Sequence, residues 1–287
     1  MNEMNIKKGY KRLNMDMTSA YGDMQYELNI PYHLEGKLEI CKNGYHLCEN
    51  ILDTVNFYAS GNSRLFEVEY NSNNCIEDKN KLCSDYIKII REISIEEYHS
   101  CIKEYIKNND ITNKHWGVRC EVARQGFGLD VLINDKNWCV RYEVAKQGFG
   151  LDILINDEDC GVRCEVVRQG YGLDKLINDK NRDVRYEVAK QGYGLDKLIN
   201  DEDYDVRCEV ARQGYGLDKL VEDEDWKVRY EVAWQGYGLD ILINDEDWGV
   251  RYEVARQGYG LDVLINDKDC YVRDMAKQKL NELNNKY

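Results

Sequence analysis

A single proline in 287 residues leaves the chain almost without fixed kinks, so its turns must come from glycine, of which there are 22. Four histidines, no CxxC pair and no Cys/His cluster at zinc spacing remove the usual structural metal sites. No run approaches the length of a membrane helix, and Met1 to Lys11 lacks an apolar stretch, so neither a span nor a signal peptide is expected. Positive charge is also short: 39 Lys and Arg against 53 Asp and Glu give a formal net charge of -14. A nucleic-acid binder that neutralises phosphates needs a basic face, so direct nucleic-acid binding is not expected. The charge leaves a cationic partner, a surface that imitates DNA, or plain solubility of a long exposed array. The eleven cysteines do not form a disulfide framework by their pattern. Cys120, Cys164 and Cys208 share one repeat position with Tyr142, Tyr186, Tyr230 and Tyr252, which marks a packing or surface site. An odd number of thiols suits a reducing compartment, here the cytoplasm of a bacterial host cell.

What is abundant is repetition. The pair Val-Arg recurs at Val118-Arg119, Val140-Arg141, Val162-Arg163, Val184-Arg185, Val206-Arg207, Val228-Arg229, Val250-Arg251 and Val272-Arg273, always 22 residues apart. The unit reads D-x-x-V-R-x-E-V-A-x-Q-G-[FY]-G-L-D-x-L-I-N-D. Val140, Val144 and Ala145 give one apolar helical face, and Leu151, Leu154 and Ile155 a second, shorter one. Acidic runs such as Asp157-Glu158-Asp159 supply N-caps, and Gln147-Gly148 a left-handed C-cap. Neither helix can bury its face alone, so the units must stack, eight in all.

Comparison of the copies separates scaffold from surface. The unchanging Arg is expected to be buried against a repeated Asp. The most varied position holds Trp116, Trp138, Cys160, Arg182, Tyr204, Trp226, Trp248 and Cys270, and takes all the tryptophans except Trp234. Rings of this kind dominate binding hot spots, although they could equally cover the gaps between units. The binding candidates are Trp138, Arg182, Tyr204, Trp226 and Trp248, with the acidic runs Asp223, Glu224, Asp225 and Asp245, Glu246, Asp247 as a rim for a basic segment. A second row, Phe127, Phe149, Tyr171, Tyr193, Tyr215, Tyr237 and Tyr259, hardly changes and is expected to pack at the inter-helix turn.

The D-x-x-V-R-x-x-V-A…L-x-x-L pattern resembles leucine-rich-repeat-variant and HEAT-like solenoids over about 160 residues. That resemblance implies an all-α, right-handed superhelix that serves as a binding scaffold without catalytic apparatus. The repeats and the change of texture before them place the array with its C-terminal cap at 116–287, a linking or capping helix at 99–115 and a separate domain at 1–98.

That first domain has no repeat. Leu38-Glu39-Ile40, Leu65 to Tyr70 and Tyr86 to Ile90 read as strands and Asn50 to Ala59 as a helix, an α+β composition. Gly44-Tyr45-His46-Leu47-Cys48, Asn56-Phe57-Tyr58, Arg64 to Val68 and the strand from Cys83 to Ile89 resemble an ADP-ribosyltransferase fold. Gly9-Tyr10-Lys11, Gly44 to Asn50 and Lys88 to Ile93 are similar to an uncharacterised domain common in bacteriophage genomes. In the transferase class a His-Tyr-Glu set handles NAD, and the matching positions here are Lys11, His46 and Asp85, all three changed. The reading that follows is a non-enzymatic binding protein of phage or mobile-element origin, with no cofactor or metal. It would inhibit a host defence or nucleic-acid-handling component through its acidic solenoid, the partner being a host protein or protein–nucleic-acid complex with a basic surface. The alternative is a mono-ADP-ribosyltransferase, with NAD as cofactor, whose solenoid selects the target.

Overall fold

Strand β1 (Ile6–Asn14) alternates as a half-buried strand should, turning Gly9, Lys11 and Leu13 inward. A lysine therefore occupies a core-facing position between a glycine and a leucine. The computed structural model describes residues 4–19, 24–40, 42–57 and 63–284. It divides into two compact units, Met1–Phe149 and Gly150–Tyr287.

In the first unit seven strands make two antiparallel sheets. β1, β2 (Pro31–His33), β4 (Ser63–Asn71) and β7 (Tyr86–Glu92) form one, in the order β1-β4-β7-β2. β3 (Tyr45–Leu47), β5 (Cys75–Asp78) and β6 (Lys81–Ser84) form the other, in the order β3-β6-β5. β4 lies between two partners, and Leu65, Phe66, Val68 and Tyr70 on it are all buried. With Leu13, Tyr26, Tyr45, Leu47, Leu82, Ile87 and Ile89 they make the core. Helix α1 (Ile95–Asn108) starts at Ser94, whose hydroxyl accepts from the Glu97 N–H, and buries Tyr98 and Ile102. The linking helix expected at 99–115 thus begins at Ile95 and ends at Asn108.

Three local expectations change. Leu38 to Ile40 is not a strand, because Glu39 and Asn43 bond each other's backbones and close a turn. The segment 83–89 is not one strand: β6 ends at Ser84, β7 starts at Tyr86, and Asp85 stands at the break between the two sheets. The helix expected from Asn50 is a 3₁₀ helix, Ile51–Phe57, and Tyr58 and Ala59 lie outside the described residues. The first repeat is tied to this domain within the unit through Lys114 Nζ and the buried Asp53 carboxylate, 3.0 Å apart.

The repeats follow the sequence closely. The first unit holds the nine-residue helices Trp116–Arg124 and Trp138–Lys146. The second unit holds Cys160–Arg168, Arg182–Lys190, Tyr204–Arg212, Trp226–Trp234, Trp248–Gln257 and the closing helix Cys270–Asn284. One-turn helices such as Leu173–Leu176 and Leu195–Leu198 come between them. Each long helix up to Trp248–Gln257 buries its Val, Val and Ala face, or Val162, Val166 and Val167 in one copy. Helices this short are marginal in water, so that face is what holds them.

Both glycines of the unit have positive φ, for different reasons. Gly214 (φ +74) has open space around it and only ends a helix. Gly216 (φ +60) opens the next short helix, and a methyl group there would collide with Ile199 of the preceding unit. The second glycine thus permits close packing as well as a turn.

Between repeats run charged ladders. Arg163 donates from Nε and Nη2 to both carboxylate oxygens of Asp179, at 2.6 and 2.9 Å, and from Nη1 to the Asp157 carbonyl at 2.7 Å. Arg185–Asp201, Arg207–Asp223, Arg229–Asp245 and Arg251–Asp267 repeat the fork, as does Arg119–Asp135 in the first unit. The arginine is buried and paired as its planar fork suggests. A second ladder divides six of the copies into two kinds, while the copy with Tyr252 ends in Arg256, which pairs back with Glu253 of its own helix. Copies with Cys120, Cys164 or Cys208 end their helix in Arg124, Arg168 or Arg212, which reach forward to Glu143, Glu187 and Glu231. Copies with Tyr142, Tyr186 or Tyr230 end in Lys146, Lys190 or Trp234; the two lysines are exposed and take part in no ion pair among the described residues. Burial pushes the thiols of Cys120, Cys164 and Cys208 up to about 12, as expected of packing residues. The ten cysteines among the described residues are all free.

Candidate functional site

The transferase positions are brought together only in part. Lys11 Nζ donates to the His46 carbonyl at 2.7 Å and sits 5.4 Å from the centre of the Tyr26 ring. Burial lowers the Lys11 ammonium to about 8, and the neighbouring Lys81 works in the same direction. Burial, followed by the charges of Lys81 and Lys11, also lowers His46, to about 4. Asp85 is engaged elsewhere, accepting from Asn71 Nδ2 at 3.2 Å and Asn74 Nδ2 at 2.7 Å. The cation and the imidazole thus lie near each other, while the carboxylate serves the turn after β4. Among the described residues, no group of His, Cys, Asp and Glu could hold a metal ion. No helix of the described residues is long and apolar enough to cross a membrane.

Along the array, the varied position has a partner that the sequence reading missed. In the second unit Arg182, Tyr204, Trp226 and Trp248 each meet the residue 23 positions on, in the next copy. Arg182 Nη1 pairs with Asp205 at 3.0 Å and Asp203 at 3.2 Å. Lys227 donates to the Tyr204 hydroxyl at 2.9 Å and lies 4.2 Å from that ring's centre. Trp226 lies over Gly249, at 3.7 Å from where a methyl group would stand. Trp248 packs on Tyr271 with ring centres 5.6 Å apart. The row is a seam: ion pair, cation on ring, ring on glycine, ring on ring. It still leaves Trp226 and Trp248 half-exposed, like Trp138 in the first unit.

The acidic rim is mostly spent on structure. Asp223 and Asp245 are not on an open face, because Arg207 and Arg229 hold both their oxygens. Asp225 and Asp247 cap helices, accepting from the N–H groups of Lys227 and Gly249 at 2.8 Å each. Only Glu224 and Glu246 stand out into solvent, with Arg207 and Arg229 reaching their edges at 3.4 Å.

The second row also departs from expectation. Phe127 packs edge-on against His99 with ring centres 5.3 Å apart, but the later rings between the glycines, Phe149 and Tyr171 to Tyr259, are exposed at 40–43%. A glycine at positive φ on either side reverses the backbone twice within three residues and leaves the ring at the outside of the bend. The hydroxyls of Tyr171, Tyr193, Tyr215, Tyr237 and Tyr259 have no hydrogen-bond partner within the described residues. Three residues after each comes an exposed aspartate, Asp174, Asp196, Asp218, Asp240 or Asp262, also without an ion pair there. The signal was present in the sequence, but invariance between copies was taken to mean burial. It can equally mean one identical exposed group per repeat.

Residues 7–101 match the family described as Domain of unknown function (DUF7666). No curated protein matches the chain. Among solved structures, a designed armadillo repeat protein in complex with the peptide (KR)4 is similar at 16% identity, covering 65% of this chain and 92% of that one, with a TM-score of 0.24. An engineered protein is similar at 14% identity, covering 67% and 92%, with a TM-score of 0.19. Scores this low carry no statement about function. The family match ends inside α1, so the chain joins a domain of unknown function to a helical repeat array that lies wholly outside the match.

Proposed function

We propose that this chain is a non-enzymatic binding protein whose repeat array holds a basic segment of another protein. The observation that carries the reading is the double row in the second unit, one exposed tyrosine and one unpaired aspartate per copy. In the second unit each buried arginine from Arg163 to Arg251 has its own carboxylate, yet these five aspartates take part in no ion pair among the described residues. A cationic side chain seated against a tyrosine face and a neighbouring carboxylate gains both ring contact and charge attraction. Nucleic acid is disfavoured on this face, since carboxylates would meet phosphates.

The test is fluorescence anisotropy with the full chain and labelled peptides, one of lysine and arginine, one of aspartate and glutamate. The basic peptide is expected to bind, more weakly as salt rises. A variant with all five aspartates changed to asparagine should melt unchanged and lose most of that affinity. Binding of the acidic peptide instead, or of neither, overturns the proposal. Within this reading, the N-terminal resemblance implies a phage or mobile-element product acting on a host defence or nucleic-acid-handling component. Recovery of the partner from host extract with mass spectrometry identifies it, whereas labelling of a host protein from NAD would replace the reading with the transferase one.

A further inference from the structure

One copy departs at the end of its long helix from six sisters that end in lysine or arginine, and in its short helix it joins Val131, Ile153 and Val263 in carrying an exposed apolar residue where three copies have lysine. Where equivalent helices end in an exposed lysine, Lys146 or Lys190, the helix Trp226–Trp234 ends in Trp234, half-exposed at 50%. Where the three preceding short helices carry Lys175, Lys197 and Lys219, each reaching back to Asn156, Asn178 or Asn200, this copy carries Ile241, also 50% exposed. Both changes remove a cation and add apolar surface. Tyr237 lies between them in the chain, and the following copy presents Tyr259 and Val263, again exposed. The aspartates of these two copies, Asp240 and Asp262, have no lysine beside them, unlike Asp174, Asp196 and Asp218. Five exposed apolar side chains on two successive copies, with unpaired charge beside them in the chain, mark an interaction surface rather than a solvated one.

We infer that Trp234, Tyr237, Ile241, Tyr259 and Val263 with Asp240 and Asp262 form the dominant docking patch, for an extended peptide that carries an apolar side chain flanked by lysine or arginine. The inference rests on the binding reading above and narrows it to a place and a partner chemistry. The occupant is fixed by charge complementarity: a second copy of this face would set carboxylates against carboxylates. Trp234 is half-exposed where six sister copies carry lysine or arginine, so packing at that position does not call for an indole.

The experiment measures anisotropy of the full chain with two labelled peptides, one alternating lysine and leucine, the other of lysine and arginine only. The lysine–leucine peptide should bind more tightly. Trp234→Arg with Ile241→Lys, which restores the residue types of the sister copies and so should fold, is expected to weaken it about thirty-fold, to the level of the purely basic peptide. Asp240→Asn with Asp262→Asn, nearly isosteric, should weaken both peptides. Conversely, Lys190→Trp with Lys197→Ile should create a second patch at Tyr193 and raise the stoichiometry. If both peptides bind and Trp234→Arg with Ile241→Lys leaves them unchanged, the patch is refuted while the binding reading stands. If neither peptide binds the wild-type chain, the binding reading itself fails and the patch with it.

Discussion

The β domain and the repeat array both bury positive charge, and they treat it in opposite ways. In the array every buried arginine, from Arg163 to Arg251, has a carboxylate forked onto it and a carbonyl beneath it. In the β domain Lys11 is just as buried, yet it has one carbonyl and a ring face, with Lys81 adding repulsion. The architectures differ to match. The β domain closes over long sequence distances, with Ile6 opposite Asn71 and Tyr10 bonded to Cys48. The array within the second unit is built from contacts at fixed short separations, 16 residues for the arginine fork and 23 for the seam. A domain of the first kind folds late and as a whole; an array of the second kind is held neighbour by neighbour. A carboxylate for each buried cation is thus repeated along the array from Arg163 to Arg251, while Lys11 goes without one.

The largest expected effect tests the compensated side. Asp223→Ala strands the Arg207 guanidinium in a buried site and should cost about 3–5 kcal/mol, read by denaturant melts. A cost below about 1 kcal/mol would mean that water reaches the ladder and that the contrast with Lys11 is false. Next come the two glycines. Gly216→Ala meets both an unfavourable φ and the Ile199 side chain, whereas Gly214→Ala meets only the φ, a strain of about 1–2 kcal/mol. The first substitution should therefore melt lower, and Ile199→Ala should recover part of the difference. Equal costs would show that the close approach between copies is not real.

Titration separates the regions directly. The folded His46 value of about 4 lies below its ordinary 6.5, so the β domain should lose stability as pH falls from 6.5 towards 4. Lys11, at about 8 against 10.5, gives the same sign at the other end: stability rises as pH goes from 8 to 10.5. In the array the Arg251 hydrogen bond holds Asp267 below the ordinary 3.8, outweighing its burial, so its contribution persists through that range and is lost only as pH falls below it. All five tryptophans lie in the repeats, so tryptophan fluorescence follows the array while circular dichroism of the strands follows the β domain. His46→Gln should flatten the acid limb of the dichroism melt alone. Coincident transitions at every pH would break the comparison. The smallest effects concern the two rows. Trp248→Ala uncovers a seam and should cost about 1 kcal/mol, whereas Tyr215→Phe, which removes an unpartnered hydroxyl, should leave the melting temperature in place. A clear loss for Tyr215→Phe would restore the packing role first read for that row.

Legibility followed repetition. Seven copies print nearly the same helix starts, caps and buried Val-Val-Ala face, with Val167 for the alanine in one, so the array, its free thiols and the Arg–Asp pairing could be read from the sequence. The β domain offers each strand once. β4 and β7, rich in β-branched and aromatic residues, were legible; β1, with four cations in Ile6–Asn14, was not, because its inward positions are a glycine, a lysine and a leucine. Asp85 fell within a continuous apolar-flanked run, and nothing local told that the chain changes sheets there. The site was half legible. Exposed rings at fixed spacing were visible, but which row is free depends on partners 23 residues away, and those are found only by stacking one copy on the next. Trp234 was noticed as the exception in the tryptophan row, though without the sister lysines to compare it looked like a stray residue.

The 23-residue seam has an implication for how such an array changes length. Each pair spans two copies, so deleting or inserting one unit leaves every seam intact except the one at the junction, where a ring can lose its glycine or a cation its ring. Arg182 and Asp205 therefore travel as a lock and key across the boundary, as do Tyr204 and Lys227. Exchange of whole units would select for mates at the splice, and residues that need match only one neighbour are free to differ everywhere else. The position that varies most in this chain is then a record of which copies have been adjacent long enough to fit.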